Sequence, residues 1–307
     1  MRIENFFDLR RRAQQLGPKL VAVVMADDEV ALSALSKAAA LGIAKPLLIG
    51  DTALIRERLA QMNEAALLGH AIFISAQDAQ TAAECAVALC RKGEADLLLK
   101  GHIRTDQLLH AVLDKERGLR TGPLLSDVLL YEDTLAGETR LVGVTDGGIN
   151  VLPSLEQKKQ IVANAVSVMH ALGVQRPRIA LMSATEAVTD SVPSTVEAQA
   201  LTQMAERGEL GDCDVFGPLA LDNALLESAA QAKGISSPVA GHADVMVAPN
   251  IEAGNILGKA VKYFGGSQCA HVVVGAKVPV LIPSRVESAN DKLNSLALGV
   301  VAHRHEI

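Results

Sequence analysis

The chain has 307 residues, 49% of them apolar and 21% charged, with a formal net charge of −6. That length suffices for two domains or one large one, with ample material for extended cores. The acidic balance, the lack of a basic cluster, and an aromatic content of 2% without Trp exclude an obvious nucleic-acid surface.

No apolar run reaches the roughly 18 uninterrupted residues of a membrane span. The opening Met1-Arg-Ile-Glu-Asn-Phe-Phe-Asp8 lacks the apolar core of a signal peptide. The four cysteines (Cys85, Cys90, Cys213, Cys269) show neither CxxC spacing nor the density of a disulfide scaffold. They read as free thiols of a cytoplasmic protein.

A β/α rhythm begins with an expected strand over Lys19–Ala26 and a helix over Val30–Leu41 closed by Gly42. A strand at Lys45–Gly50 and a helix near Thr52–Met62 follow. His70–Ser75 and Ala79–Arg91 repeat the unit, and Ala95–Lys100 adds another strand before a helix at Gln107–Leu113. Short apolar strands alternating with helical segments predict a mostly parallel sheet covered on both faces. The fold class is α/β.

The rhythm then breaks. Leu124–Tyr131 and Arg140–Thr145 are strand-like, and the eight residues between them, mostly polar and including Gly137, suit an antiparallel hairpin. We expect a domain junction near residues 130–140. The rhythm resumes with the helix Ser154–Leu172, the strand Arg178–Ser183, the helix Thr195–Arg207, the strand Cys213–Gly217, the helix Leu221–Ala232 and the strand Ala243–Ala248. Residues Thr185–Thr195 have the composition of a mobile loop.

Several strand-to-helix junctions are rich in small and polar residues: Lys100-Gly-His-Ile-Arg-Thr-Asp106, Thr145-Asp-Gly-Gly-Ile-Asn150 and Pro249-Asn-Ile-Glu-Ala-Gly-Asn255. Small residues let a ligand approach the backbone, and free N–H groups at helix starts favour anions. None of these is a Walker A motif, a G-x-G-x-x-G turn after the first strand or a G-x-S-x-G elbow. The histidines lack metal-ligand spacing, and no metal site is expected. The tail His303-Arg-His305 reads as a solvated terminus. Asp146 and Asp222 read more simply as turn or cap residues than as catalytic ones.

The C-terminal run Pro279-Val-Leu-Ile-Pro-Ser-Arg-Val-Glu-Ser-Ala-Asn-Asp-Lys292 places Ser284, Arg285 and Asp291 within eight positions. A hydroxyl, a guanidinium and a carboxylate at a strand end can hold an oxyanion and move a proton. Ser288-Ala-Asn-Asp291 also fits a capping box, and on spacing alone that is the simpler account of Asp291.

Gly217-Pro-Leu-Ala-Leu-Asp222, Lys233–Gly241, Ala243–Asn255 and Pro283–Lys292, in this order, resemble the phosphate acetyl/butyryl transferase family. The likeness extends upstream through Lys100-Gly, Leu119-Arg-Thr-Gly122, Thr145-Asp-Gly-Gly-Ile-Asn150 and Pro153-Ser-Leu-Glu-Gln-Lys158. One departure is His242, where the family more often has an acidic residue.

The resemblance implies two α/β domains with an active-site cleft between them, in a layout like that of isocitrate and isopropylmalate dehydrogenases. Residues 1–134 with 274–307 would form the first domain and 135–273 the second. The implied reaction is reversible: acyl-CoA and phosphate give acyl phosphate and CoA, by direct thiolate attack in a ternary complex. Asp291 would deprotonate the thiol, Arg285 would bind phosphate and Ser284 would steady the tetrahedral species. Arg120 would bind an anion, while Asn250, Gly254 and Asn255 would line the substrate site. Coenzyme A would be a substrate, no cofactor or metal would be bound, and the protein would be a homodimer. Two other readings stay open: a relative that binds CoA or acyl phosphate without turnover, and a metal-dependent decarboxylating dehydrogenase of similar layout.

Overall fold

The structure, a computed structural model, describes residues 2–135, 137–284 and 286–303. In chain order the elements begin α1 (Phe6–Gln15), β1 (Lys19–Val24), α2 (Glu29–Ala40), β2 (Ala44–Gly50), α3 (Thr52–Gln61), α4 (Ala65–His70), β3 (Ile72–Ser75), α5 (Ala79–Lys92), β4 (Leu97–Lys100) and α6 (Thr105–Val112). There follow β5 (Ser126–Asp133), β6 (Arg140–Thr145), α7 (Leu155–Ala171), β7 (Arg178–Met182), α8 (Pro193–Glu206), β8 (Asp214–Leu219), α9 (Leu221–Leu225) and α10 (Glu227–Ala232). Last come β9 (Val245–Val247), α11 (Ile251–Tyr263), β10 (Cys269–Val274), β11 (Val280–Leu281) and α12 (Ala289–Ala302).

The chain divides into two compact units. One holds Phe7–Pro123 and Ala270–Ile307, and the other holds Leu124–Cys269 together with the N-terminal segment ending at Phe6. The expected first boundary, after residue 134, falls beyond β5. That strand pairs antiparallel with β6, from Leu129↔Val144 to Asp133↔Arg140, so both strands belong to one unit. The N-terminal segment joins the same unit through the Ile3 N–H, which donates to Leu172 O at 2.8 Å, and through the Arg2–Asp244 ion pair at 2.9 Å.

In the unit built on Phe7–Pro123, the strand order is β3-β2-β1-β4-β11-β10. Every pair is parallel except β10 with β11. Parallel strands buried on both faces need continuous apolar runs, and Val21–Val24 and Leu97–Leu99 are fully buried. Aspartates start the helices after the first three strands. Asp28 accepts from Ala31 N, Asp51 from Ala53 N and Leu54 N, and Asp78 from Thr81 N. The strand-end polar groups of β1, β2, β4 and β11 therefore collect on one edge of the sheet. That is where open α/β sheets bind ligands.

In the other unit the order is β5-β6-β9-β7-β8, parallel apart from β5. Its core includes Leu129, Tyr131, Val142, Val144, Met246 and Cys269. α7 starts on a complete capping box formed by Ser154 and Gln157.

Several elements differ from expectation. Residues 65–70 form α4, and β3 begins only at Ile72. The helix expected over 221–232 is broken at Leu226, whose backbone is extended at φ −118° and ψ 116°. β10 and α1 were not anticipated. The Thr185–Thr195 segment is anchored by buried Thr195, whose hydroxyl accepts from Thr189 N at 2.9 Å and donates to Thr189 O at 3.0 Å. His303 is partly buried with its Nε2 3.4 Å from Asp96, and the rest of the expected solvated tail lies outside the described residues. No helix among the described residues is long and apolar enough to cross a membrane.

Candidate active site

Ser284 and Asp291 both follow β11, at the carboxyl edge of the parallel strands. Ser284 is exposed, and its N–H donates to Glu287 Oε1 at 2.9 Å. Asp291 is the third residue of α12 and is 1% exposed. The capping box is complete: Asp291 Oδ2 accepts from Ser288 N at 3.1 Å and from Ser288 Oγ at 2.5 Å, and Asp291 N donates to Ser288 Oγ at 3.2 Å. The capping reading of Asp291 is thus correct as geometry, and it does not exclude a chemical role. A helix N-terminus favours the charged carboxylate, and the hydroxyl of Ser288, an exposed residue, contacts it directly. Arg285, the third member of the trio, lies outside the described residues.

Arg120 is exposed and forms a bridge to Ala276, in the turn that feeds the amino end of β11. Ser284 and Asp291 follow the opposite end of that strand.

The remaining candidates belong to the other unit. Asn250 caps α11, its side chain accepting from Ala253 N at 2.9 Å. Asn255 is exposed and donates from Nδ2 to Gly147 O at 3.0 Å. Gly254 is required by close packing, because a Cβ there would stand 2.5 Å from Asp146 O.

Asp146 is more than a simple turn residue. Its carboxylate is buried and accepts from Gly148 N at 2.8 Å, Ile149 N at 3.0 Å, Asn150 N at 3.1 Å and Asn150 Nδ2 at 2.6 Å. Burial, reinforced by the neighbouring Asp127 charge, pushes its carboxyl above the usual range against these bonds. One side chain therefore shapes the whole 146–150 turn on which Asn255 rests. The Asp-x-x-x-Asn spacing of an Asx-type turn was its sequence signal.

Other chemistries find little support. Burial pushes the thiols of Cys90 and Cys213 up to about 12 and about 11, so neither is a ready nucleophile. Among the described residues, no group of three or more His, Cys, Asp or Glu side chains is placed to hold a metal ion.

Comparison with known proteins agrees with this arrangement of motifs. The sequence profile of the family described as phosphate acetyl/butaryl transferase matches residues 65–300. The chain is 40% identical to a phosphate acetyltransferase of Rhizobium meliloti, over 94% of this chain and 90% of that protein. It is also 40% identical to a phosphate butyryltransferase of Clostridium beijerinckii, over 99% of each. Among solved structures, a branched-chain phosphotransacylase from Enterococcus faecalis V583 superposes with a TM-score of 0.81 at 33% identity, covering 94% of this chain and all of that one. A phosphotransacetylase from Streptococcus pyogenes, at 20% identity and a TM-score of 0.79, shares the fold. The ordered motifs, the two α/β units and these similarities together make the chain a member of the phosphate acetyl/butaryl transferase family, and so a phosphate acyltransferase.

Proposed function

We propose that the protein transfers a short acyl group reversibly between coenzyme A and inorganic phosphate, by direct attack of the CoA thiolate on the acyl phosphate carbonyl. A thiol is mostly protonated at neutral pH and its thiolate is the nucleophile, so the reaction needs a base. Asp291 takes that role. The observation that carries the assignment is its carboxylate at the start of α12, on the strand-end edge that also bears Ser284.

Because Asp291 is buried, the hydroxyl of Ser288, an exposed residue, serves on Oδ2 as its contact with an incoming thiol. Ser284 hydrogen-bonds the developing oxyanion, and Arg285 is assigned to the phosphate by its place in the motif. Arg120 is assigned to anion binding. Asn250, Gly254 and Asn255 are assigned to the substrate site, supported by the tight turn packing that fixes them. The reaction as written requires neither a metal nor a bound cofactor.

We also assign a cytoplasmic location, supported by four free cysteines. A homodimer is supported by an apolar face on the unit containing α11. Ile256, Tyr263 and Phe264 are 68%, 57% and 93% exposed, and exposed Val151, followed by exposed Leu152, accepts through its carbonyl from Ile251 N at the start of α11. The test is thioester formation, followed by its ultraviolet band, from CoA with acetyl, propionyl and butyryl phosphates. Robust product with at least one donor is expected; no product with any of them refutes the reading.

A further inference from the structure

Acyl transfer to a thiol has a second proton requirement, which Asp291 does not meet. When the tetrahedral species collapses toward thioester, the bond from carbon to the bridging oxygen breaks. Without a proton on that oxygen, the leaving group is fully deprotonated phosphate, a far poorer leaving group than hydrogen phosphate. The thiol's own proton has gone to the base. A separate general acid on the phosphate side completes the chemistry.

The same sheet edge carries a suitable group. β1 and β4 are neighbouring parallel strands, with Val24 opposite Lys100. Beyond them their loops are clamped together: Gly101 N donates to Val24 O at 2.9 Å and His102 N donates to Met25 O at 2.8 Å. Only glycine fits at 101, since a Cβ would stand 2.3 Å from Met25 O. The clamp sets the His102 Nδ1 3.0 Å from Asp27 Oδ2. This contact is shorter than those of His303 with Asp96, His271 with Glu287 and His242 with Glu227, at 3.4, 3.6 and 3.9 Å. The Asp27 side chain is 18% exposed and the imidazole is 60% exposed. A carboxylate on Nδ1 fixes the tautomer and orients the ring, leaving Nε2 outside that contact.

The dyad is tied to the Asp291 segment. β11 is the next strand beyond β4, and α12 reaches back through Lys292 Nζ, 3.6 Å from Asp28 Oδ1. One ion pair and two chain neighbours therefore connect Asp27 to Asp291. Charged chain neighbours of His102 are Lys100 on β4 and the Arg104–Asp106 pair at the start of α6, bonded twice at 3.0 Å.

We infer that His102, oriented by Asp27, is the general acid that protonates the departing phosphate, an assignment that rests on the acyl-transfer reading above. In the forward step the thiolate forms the C–S bond, the C–O bond breaks, and the Nε2 proton passes to the bridging oxygen to release hydrogen phosphate. Asp291 has meanwhile taken the thiol proton, so the two groups exchange protons with solvent between turnovers and the balance closes. In reverse, neutral His102 takes the proton of attacking hydrogen phosphate.

The experiment compares full-length His102→Asn, Asp27→Asn and Asp291→Asn with the unaltered protein, measuring kcat and KM for acetyl phosphate across pH. His102→Asn is expected to lower kcat about 10²-fold or more with KM changed less than about threefold. It is also expected to abolish the fall of kcat on the alkaline side that a general acid produces. Asp27→Asn, a change at a positioning residue, is expected to give a smaller loss, in kcat and not in KM. A His102→Asn kcat within about threefold of the unaltered protein, or a larger loss with the alkaline limb intact, overturns the inference. Failure of the Asp291 reading shows separately, as retained turnover in Asp291→Asn.

Discussion

Ser288 and Asp291 hold each other reciprocally: the Ser288 hydroxyl and N–H both donate to Asp291 Oδ2, and the Asp291 N–H donates back to Ser288 Oγ. The same bonds that start α12 thus hold the proposed base in one orientation. Structure and chemistry are joined in a single pair of residues, and the two roles separate experimentally.

Ser288→Ala removes the cap and the hydroxyl contact together. It is expected to cost about 1 kcal/mol of stability and to lower turnover. Ser288→Thr keeps both functions and is expected to restore turnover. Denaturant titration beside steady-state kinetics checks this. A Ser288→Ala protein that loses stability but keeps full kcat shows that Ser288 acts only as a cap.

Asp244 predicts acid sensitivity. Burial opposes its charge, but the Arg178 guanidinium and N–H, with Arg2, outweigh burial and hold its carboxyl below the usual range. A depressed folded value means the stabilisation is present above the ordinary carboxyl range and is lost as pH falls through the folded value. Asp244→Asn is expected to cost about 2 kcal/mol at neutral pH, the range of hydrogen bonds to a charged group, and to flatten the acid limb of stability. Urea unfolding from pH 7 down to pH 3 measures both. Equal acid slopes in the two proteins would count against the assignment.

The exposed apolar face of α11 predicts self-association. Phe264→Glu, at a side chain 93% exposed, is expected to leave folding intact and to shift the protein from dimer to monomer in analytical ultracentrifugation. Identical sedimentation of variant and unaltered protein contradicts the proposed dimer face.

How far the sequence could be read depended on whether a signal was local. Buried parallel strands such as Val21–Val24 and aspartate-capped helices are written in neighbouring residues, so the α/β class and the β5–β6 hairpin were legible. The unit boundary was less so, because the placement of β5 depends on its pairing with a strand beyond the expected junction. The helix break at Leu226 follows no Gly or Pro and left no mark in the pattern. In the site, the Ser284–Asp291 segment was visible because it is contiguous. Asp27 and His102 were not, because 75 positions separate them and only the pairing of β1 with β4 brings them together.

The most direct test of the account is Asp291→Asn, assayed for both thioester formation and stability. The amide preserves the shape of the cap, so the account predicts a fall in kcat of about 10²-fold or more with a stability change near or below 1 kcal/mol. Near-normal turnover accompanied by lost stability would show Asp291 to be a capping residue alone and would contradict its role as the base.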